Sequence, residues 1–273
     1  MKSWSVTGLL VLIIGTAGWS ERIVSLGTYP TQNLVLLGLE KFLVGVTIHE
    51  PREIKRDREI IGTLWEPNLE KIVSLKPDVV LASKEGNRPQ SVSRLKELRI
   101  EVLLLNEVRC FQDACENLFL VGQRFNRSSE AIKLITRLKQ ELRGIRQTAP
   151  GRKPTVFFAL GLKPLVTAGR DTFIHHLIED AGGKNIFADH PGKYLRVSLE
   201  EVVRRDPEVI VSLKMEEEAD REFWQDFPRL KAVTQQSIFQ VSNELFANPT
   251  PAQYVEAAWY LRKILGPIGQ GKR

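Results

Sequence analysis

Hydrophobic positions along the chain follow two alternating patterns. Short runs that are apolar at every position predict strands with both faces covered. Between them, apolar residues recur at spacings of three and four, which predicts amphipathic helices. The predicted strands cover residues 22–27, 42–47, 78–83, 101–106, 155–160, 208–213 and 238–242. The predicted helices cover residues 31–38, 68–75, 90–98, 111–125, 172–181, 199–204 and 251–265. This alternation predicts an α/β protein with mainly parallel sheets.

One stretch of the pattern occurs twice. LEKIVSLKPDVVLAS at residues 69–83 and LEEVVRRDPEVIVSL at residues 199–213 align at an offset of 130 positions. Each copy predicts an amphipathic helix, a proline that stops it, and a buried strand. Because the offset is about half the chain length, we expect two similar lobes.

A single longer helix is predicted between these lobes. In SSEAIKLITRLKQELRGIRQ the apolar residues Ala131, Ile135, Leu138, Leu142 and Ile145 are spaced by four, three, four and three positions. About 20 residues of helix span about 30 Å. We expect a backbone helix that contacts both lobes and limits hinge motion. The predicted divisions are residues 1–20 (signal peptide), 21–127 (N-terminal lobe), 128–148 (backbone helix) and 149–273 (C-terminal lobe).

The first residues are typical of a secretory signal peptide. One lysine precedes an apolar stretch from Val6 to Ile14, and small residues follow around Gly15 to Gly18. Such a stretch is shorter than a membrane span needs. No cysteine directly follows this stretch, which disfavours a lipoprotein anchor. We expect export to the periplasm with a mature chain that begins near residues 20–22; an uncleaved anchor and a first core strand are the alternatives.

Composition excludes few functions, and it does not decide whether the two cysteines form a disulfide. The net charge of +6 includes basic residues at 52–58 without interleaved aromatics, which favours a solvated face over a nucleic-acid site. Cys110 and Cys115 are the only cysteines of the chain. A disulfide between them requires Cys110 to precede the helix, and two separate thiols are the other interpretation.

Signatures of catalysis are missing from the sequence. It contains no GxSxG, no GxxxxGK[ST] and no GxGxxG after a predicted strand. His49 in HEPRE lacks the second histidine of a zinc protease helix, and His176 with Asp180 supplies only two ligands for a metal. The chain is therefore not predicted to be an enzyme, and no metal site or cofactor of its own is predicted.

Aromatic and polar residues occur in predicted loops at strand ends, where the core does not need them. Ligands of open α/β sheets bind at the carboxyl ends of strands, and two facing lobes form a cleft there. The predicted ligand-binding residues are Tyr29, His49, Trp65, Tyr194, Asn243 and Phe246.

Three segments resemble one family of proteins. RIVSLGTYPTQNLVLLGL, TLWEPNLEKIVSLKPDVVLAS and LVTAGRDTFIHHLIEDAGGKNIFAD are similar to the extracytoplasmic substrate-binding proteins of ABC importers that have a helical backbone. This group carries cobalamin, ferric siderophores and heme, and Trp65 before NLEKI is most similar to the cobalamin binders. The resemblance implies a monomer that captures cobalamin, or a related metal chelate, and delivers it to a permease and ATPase complex.

The same resemblance implies roles for particular residues. It implies that the aromatics at the positions of His49 and Tyr194 line the ligand cleft. It also implies that Glu70 and Glu200 form salt bridges with arginines of the permease. Because His49 stands where a tyrosine is common, it is a hypothetical axial ligand to cobalt or heme iron.

Two departures from the family pattern bear on the ligand. Asn33 replaces an acidic residue that many members have after the first strand. NPTPA at residues 248–252 lacks the arginines that siderophore binders commonly place there, which disfavours a strongly anionic ligand. A ferric siderophore or heme carrier is the second hypothesis. An exported ligand sensor, or a metallocofactor enzyme or chaperone, is the third.

Overall fold

The computed structural model describes residues 21–149, 151–214, 219–247 and 249–271. The predicted signal peptide at residues 1–20 and Asn248 of the NPTPA segment lie outside these ranges. Among the described residues, no helix is both long enough and apolar enough to cross a membrane.

The N-terminal lobe is built on a fully parallel sheet. Its strands are β1 (Ile23–Ser25), β2 (Leu43–Val46), β3 (Glu59–Ile60), β4 (Val79–Ser83) and β5 (Glu101–Leu105), in the order β3-β2-β1-β4-β5. The helices of this lobe are α1 (Thr28–Leu36), α2 (Arg52–Lys55), α3 (Leu69–Ser74) and α4 (Pro89–Glu97). Every residue of β4 is buried, as expected for a strand covered on both faces.

Two helices lead out of this lobe. They are α5 (Phe111–Arg124) and the backbone helix α6 (Ser128–Gln147). Ala131 of α6 packs in the core of the N-terminal lobe, whereas Leu138, Leu142 and Ile145 pack in the core of the C-terminal lobe. The predicted single long helix is therefore present, and its two ends contact different lobes.

The C-terminal lobe has a mixed sheet. Its strands are β6 (Thr155–Leu162), β7 (Leu165–Ala168), β8 (Lys184–Asn185), β9 (Tyr194–Arg196), β10 (Val209–Leu213) and β11 (Ile238–Val241). The order is β11-β10-β6-β7-β9, with β8 beside β6. The helices are α7 (Phe173–Asp180), α8 (Leu199–Arg205), α9 (Ala219–Gln225), α10 (Lys231–Thr234), α11 (Asn243–Phe246) and α12 (Pro251–Gly269). The β6-β7 and β7-β9 pairs are antiparallel, and the other pairs are parallel.

The repeated segments adopt the same structure in the two lobes. Each forms a helix and a buried strand, α3 with β4 and α8 with β10. Lys76 and Asp206, at equivalent positions before the two prolines, both have φ 45°. The acidic residue after each proline accepts a hydrogen bond from a backbone N–H at the start of the neighbouring strand. Asp78 accepts from Arg22, just before β1, at 2.7 Å, and Glu208 accepts from Thr155, the first residue of β6, at 3.0 Å. The predicted class, two similar α/β lobes with mainly parallel sheets, is confirmed.

The two cysteines are separate thiols in the structure. Cys110 is the residue before α5, and Cys115 is buried within that helix. Burial raises the pKa of the Cys115 thiol to about 12, so this thiol is not a reactive thiolate near neutral pH.

Candidate functional site

A cavity of about 240 Å³ lies between the lobes. Most of its lining residues follow β1, β4 and β5, and Ala247 and Pro249 contribute from the segment after β11. The carboxyl ends of both sheets therefore meet there, as expected for a ligand cleft. Tyr29, Trp65 and Glu85 are the largest or most polar side chains that line it.

Tyr29 is fixed by a buried amide. Asn117, fully buried on α5, donates from Nδ2 to the Tyr29 hydroxyl at 2.8 Å and to the Asn106 carbonyl at 2.7 Å. Its Oδ1 accepts from the Asn106 backbone N–H at 2.8 Å. Both N–H donors of this amide and its oxygen are thus engaged within the protein. Burial raises the pKa of Tyr29 well above its usual value, so the cavity wall there is a neutral phenol.

Trp65 is presented by a tight turn. Thr63 donates its backbone N–H to the Glu66 carbonyl at 3.3 Å, and Gly62 pairs with Pro67 in an antiparallel bridge. Gly62 has φ +105°, and a Cβ there would lie 2.6 Å from the Glu66 carbonyl oxygen. Only glycine fits that position without moving the turn. Trp65 at the corner of the turn is 53% exposed and borders the cavity.

Asn87 joins three loops below the cavity. Its Nδ2 donates to the carbonyls of Leu26 at 2.9 Å and Leu64 at 3.0 Å, and its Oδ1 accepts from the Ser83 N–H at 2.8 Å. Leu64 precedes Trp65, so this buried amide positions the Trp65 turn against the ends of β1 and β4. Asn87 is a positioning residue rather than a contact in the cavity.

Tyr194 and Lys193 reach the cleft from the C-terminal lobe. The Tyr194 hydroxyl donates to Glu85 Oε1 at 3.4 Å, and Lys193 forms an ion pair with Glu107. Glu85 and Glu107 follow β4 and β5 of the N-terminal lobe. Tyr194 is 48% exposed. The pair of contacts bridges the cleft beside the cavity.

His49 lies in the turn after β2, where it is exposed and does not line the cavity. The next residue, Glu50, turns inward and is buried. Thr31 Oγ1 lies 3.0 Å from Glu50 Oε1, and Lys55 donates to the Ile48 carbonyl at 2.9 Å, so the turn is held from two sides. Burial raises the pKa of the Glu50 carboxyl to about 7, and the Thr31 hydroxyl only partly offsets that effect.

Two of the predicted ligand-binding residues are placed elsewhere. Phe246 is 1% exposed and packs against Phe158 at a ring distance of 5.7 Å, so it belongs to the core of the C-terminal lobe. The short helix α11 turns this side chain inward, which the loop-like sequence did not indicate. Asn243 begins α11, is exposed, and donates from Nδ2 to the Lys214 carbonyl at 3.2 Å. Neither residue lines the cavity.

Glu70 and Glu200 occupy matching positions on the two lobes. Each lies in the first turn of its helix, α3 or α8, and each is exposed. The preceding residues Asn68 and Ser198 cap these helices by accepting backbone N–H groups at 2.9 and 3.2 Å. Because each helix runs opposite to the parallel strands, its first turn lies at the edge where those strands end. In each lobe the carboxylate therefore lies on the side of the sheet where these strands end.

A larger groove lies between the backbone helix α6 and the last helix, α12. It measures about 1030 Å³ and is lined by residues of α6 and α12 together with Thr148 and Gln270, including Trp259, which is 50% exposed. None of its lining residues lines the cleft cavity. The cleft cavity lies at the carboxyl ends of strands and is lined by residues from both lobes. It is therefore a stronger candidate for the ligand site than the groove.

Comparison with known proteins agrees with this geometry. The model of the periplasmic binding protein family matches residues 23–245. The chain belongs to this family. A periplasmic binding protein is the substrate-binding component of an ABC importer and works with a membrane permease and an ATPase; it is not an enzyme.

Relatives of this periplasmic binding protein differ in ligand. A vitamin B12-binding protein of Pectobacterium carotovorum is 29% identical over 214 residues, which cover 76% of this chain and 75% of the relative. The crystal structure of a periplasmic vitamin B12-binding protein of Vibrio cholerae is 26% identical, covers 92% of this chain and 98% of its own, and superposes with a TM-score of 0.78. A periplasmic heme-binding protein of Vibrio cholerae, at 19% identity over 91% of this chain and 100% of its own, has a TM-score of 0.82 and shares the fold.

Several residues of the site were not predicted. Asn87 and Asn117 are the clearest, and a polar residue on the buried face of a helix was the available signal for Asn117. Glu85, Glu107 and Lys193 gave no such signal, because exposed charges in loops are ordinary. Within the described part of the chain, no group of three or more His, Cys, Asp or Glu side chains is placed to hold a metal ion.

Proposed function

We propose that this periplasmic binding protein captures cobalamin, or a closely related corrinoid, between its lobes and delivers it to the permease. The observation that carries the proposal is the placement of Tyr29, Trp65 and Tyr194 around one cleft at the strand ends. Aromatic faces suit a large, mostly neutral ring system better than a small ion. The vitamin B12-binding relatives at 26% and 29% identity support the same ligand.

The described cavity is smaller than such a ligand. Its volume of about 240 Å³ is below the range of about 300 to 1,000 Å³ that is usual for ligand sites. A corrinoid therefore enters only if Tyr194 and Lys193 move away from the carboxylates of the N-terminal lobe. Because α6 packs in both lobes, we expect this opening to involve the 188–196 segment more than a rotation of whole lobes.

Titration with candidate ligands tests the proposal. Purified protein would be titrated with cyanocobalamin, hemin and a ferric hydroxamate siderophore, with calorimetry and the visible spectrum as readouts. We expect binding of cyanocobalamin at micromolar or lower Kd and at least tenfold weaker binding of the other two. Tight binding of hemin or the siderophore, without binding of cyanocobalamin, would reject the corrinoid assignment in favour of the second hypothesis.

A pair of tryptophan variants tests the location of the site. Trp65→Ala removes an exposed aromatic that borders the cavity, whereas Trp259→Ala removes an equally exposed one from the groove between α6 and α12. Loss of one aromatic contact corresponds to about 1 to 1.5 kcal/mol, so we expect about a five- to tenfold increase in Kd for Trp65→Ala. The Trp259→Ala control should bind as the wild type does. Equal affinity of both variants would place the ligand elsewhere.

His49 is a candidate axial ligand within this proposal. Its turn lies on the N-terminal lobe outside the described cavity, so ligation requires the ligand to extend over that turn. If His49 binds the metal, His49→Ala changes the visible spectrum of the bound corrinoid as well as its affinity. An unchanged spectrum and an unchanged Kd would remove His49 from the site.

We also propose that Glu70 and Glu200 dock the protein on the permease. Their matching positions on the two lobes suit a permease with two similar halves, and exposed charges set the register of such an encounter. The double variant Glu70→Arg/Glu200→Arg should abolish stimulation of the importer ATPase and leave ligand affinity unchanged. The charge-matched control Glu97→Arg/Glu256→Arg, on other surfaces, should stimulate normally; normal stimulation by both would reject the docking assignment.

A further inference from the structure

Two contacts across the cleft each involve a carboxylate of the N-terminal lobe. Glu85 lines the cavity and accepts from the Tyr194 hydroxyl at 3.4 Å. Glu107, the second carboxylate, is engaged by Lys193. Tyr194 and Lys193 both belong to the C-terminal lobe, whereas both carboxylates belong to the N-terminal lobe. Opening of the cleft at the Tyr194 contact frees Glu85 to accept hydrogen bonds from a ligand.

Glu85 lines the cavity and interacts electrostatically with Glu107 and Lys193. Repulsion from Glu107 adds to desolvation in raising the pKa of Glu85, and the cation that lowers it is Lys193, which Glu107 already engages. Glu85 also adds to the desolvation that raises the pKa of Tyr29, which lines the same cavity. Among the described residues that line the cavity, Glu85 is the only one with an ionisable acidic or basic side chain apart from the Tyr29 phenol. The cavity lining thus carries one carboxylate, Glu85, and a second, Glu107, acts on it electrostatically.

A ligand must satisfy these carboxylates as the cleft closes over it. An ionised carboxylate accepts hydrogen bonds and donates none. A primary carboxamide offers two N–H donors, whereas a carboxylate of the ligand offers none and adds a like charge. Like charges brought together in a binding site are strongly unfavourable, and this is a common source of specificity.

We propose that Glu85 and Glu107 make the cleft selective for a corrinoid whose peripheral groups are carboxamides, against the same corrinoid with a free carboxylate. This inference rests on the proposed function and names the feature of the ligand that the cleft reads. The two glutamates are specificity-determining residues: they distinguish a finished, amidated ligand from a partly hydrolysed or incompletely amidated one. The aromatic residues around the cleft, by contrast, would bind the corrin ring equally well in the amidated ligand and in the ligand with a free carboxylate.

Calorimetric titration of the full chain tests this selectivity. The probes are cyanocobalamin and its purified monocarboxylic acids, each with one peripheral carboxamide hydrolysed, at pH 7.5 and physiological ionic strength. For the wild type we expect at least one monocarboxylic acid to bind at least about tenfold more weakly than cyanocobalamin. In Glu85→Gln/Glu107→Gln the ratio should fall below about threefold, because the amides carry no charge.

Two further variants separate local charge from a general effect. Lys193→Gln removes the cation beside Glu107, so the ratio between the two ligands should rise above the wild-type value. Glu97→Gln removes a carboxylate at the far end of α4, where it pairs with Arg94 at 2.7 Å, and should leave the ratio unchanged. Thermal unfolding of each variant checks that it is folded.

The outcomes separate the selectivity from the proposed function. Equal Kd values for cyanocobalamin and all of its monocarboxylic acids would overturn the selectivity while leaving corrinoid binding intact. A wild-type ratio that persists in the double variant would overturn the assignment to Glu85 and Glu107. Absence of binding for every corrinoid would overturn the proposed function and this inference with it.

Discussion

Burial of the Glu50 carboxyl gives the protein a pH-dependent stability that one substitution should remove. Glu50 is 2% exposed. Thr31 Oγ1 lies 3.0 Å from its Oε1 and 2.8 Å from Ser25 Oγ, and Ser25 Oγ lies 3.2 Å from the Gly27 carbonyl oxygen. The Thr31 hydroxyl has one proton for two acceptors, so a protonated Glu50 completes the chain by donating to Thr31.

The magnitude follows from the shift in pKa. Burial raises the Glu50 pKa from 4.5 to about 7. At about 1.4 kcal/mol per unit, this corresponds to about 3 kcal/mol. Because the folded protein holds the proton more tightly than the unfolded chain, the stabilisation is complete below the unfolded pKa. It is lost as pH rises through the folded value, and most of the loss falls between pH 5 and 8.5.

Urea denaturation of wild type and Glu50→Gln at pH 5 and pH 8.5 measures this effect. The amide resembles the protonated acid, so the variant should gain about 2 to 3 kcal/mol relative to wild type between the two pH values. Subtracting the variant from the wild type removes the contribution of all other titrating groups. Glu53→Gln, an exposed change on the adjacent helix α2, should show no such gain. A wild-type to Glu50→Gln difference that is the same at both pH values would refute the reasoning.

Three further predictions concern the packing that supports the cleft. Asn117→Leu removes the buried amide that binds the Asn106 N–H, the Asn106 carbonyl and the Tyr29 hydroxyl. It should lower the free energy of unfolding by about 2 to 4 kcal/mol in urea denaturation and weaken ligand binding; a loss below about 0.5 kcal/mol would contradict the role of this amide. On α6, Leu142→Ala should cost about 2 to 5 kcal/mol at a position that is 1% exposed, whereas Ile132→Ala at 52% exposure should cost less than about 1 kcal/mol, and equal costs would argue against the packing. Cys115, with its pKa raised to about 12, should resist iodoacetamide at pH 8 until urea unfolds the protein, as followed by mass spectrometry; rapid labelling of the native protein would contradict its burial.

Local sequence pattern was sufficient for most of the fold. Runs such as VVLAS in β4 and VIVSL in β10 are apolar on both faces because helices cover both sides of a parallel sheet. The strands that the pattern missed, β3, β7, β8 and β9, are short. Of these, β7 and β9 form the antiparallel edge of the second sheet. Three of the four residues of β7 are buried and none of β9 is, so neither strand shows the alternation of buried and exposed positions that indicates a strand.

The site was less predictable, because its contacts join distant parts of the chain. Glu85 meets Tyr194 across 109 positions, and Asn117 meets Tyr29 across 88. No local pattern encodes such pairs. The prediction for Phe246 was wrong for a different reason. This aromatic residue lies in a polar, proline-rich segment, which is typical of an exposed loop. Tertiary packing against Phe158 decided its position instead.

The backbone helix α6 also determines whether the two lobes can fold separately. Its first turn contributes Ala131 to one core, and its later turns contribute Leu138, Leu142 and Ile145 to the other. A fragment cut at either side of residue 128 would therefore expose an apolar face that the intact chain covers. The repeated segments show that the two halves are similar. Both hydrophobic cores nevertheless include residues of α6, so a division of the chain beside this helix leaves one core incomplete. We expect the chain to unfold in a single cooperative transition, and separately expressed halves to be insoluble or to reassociate.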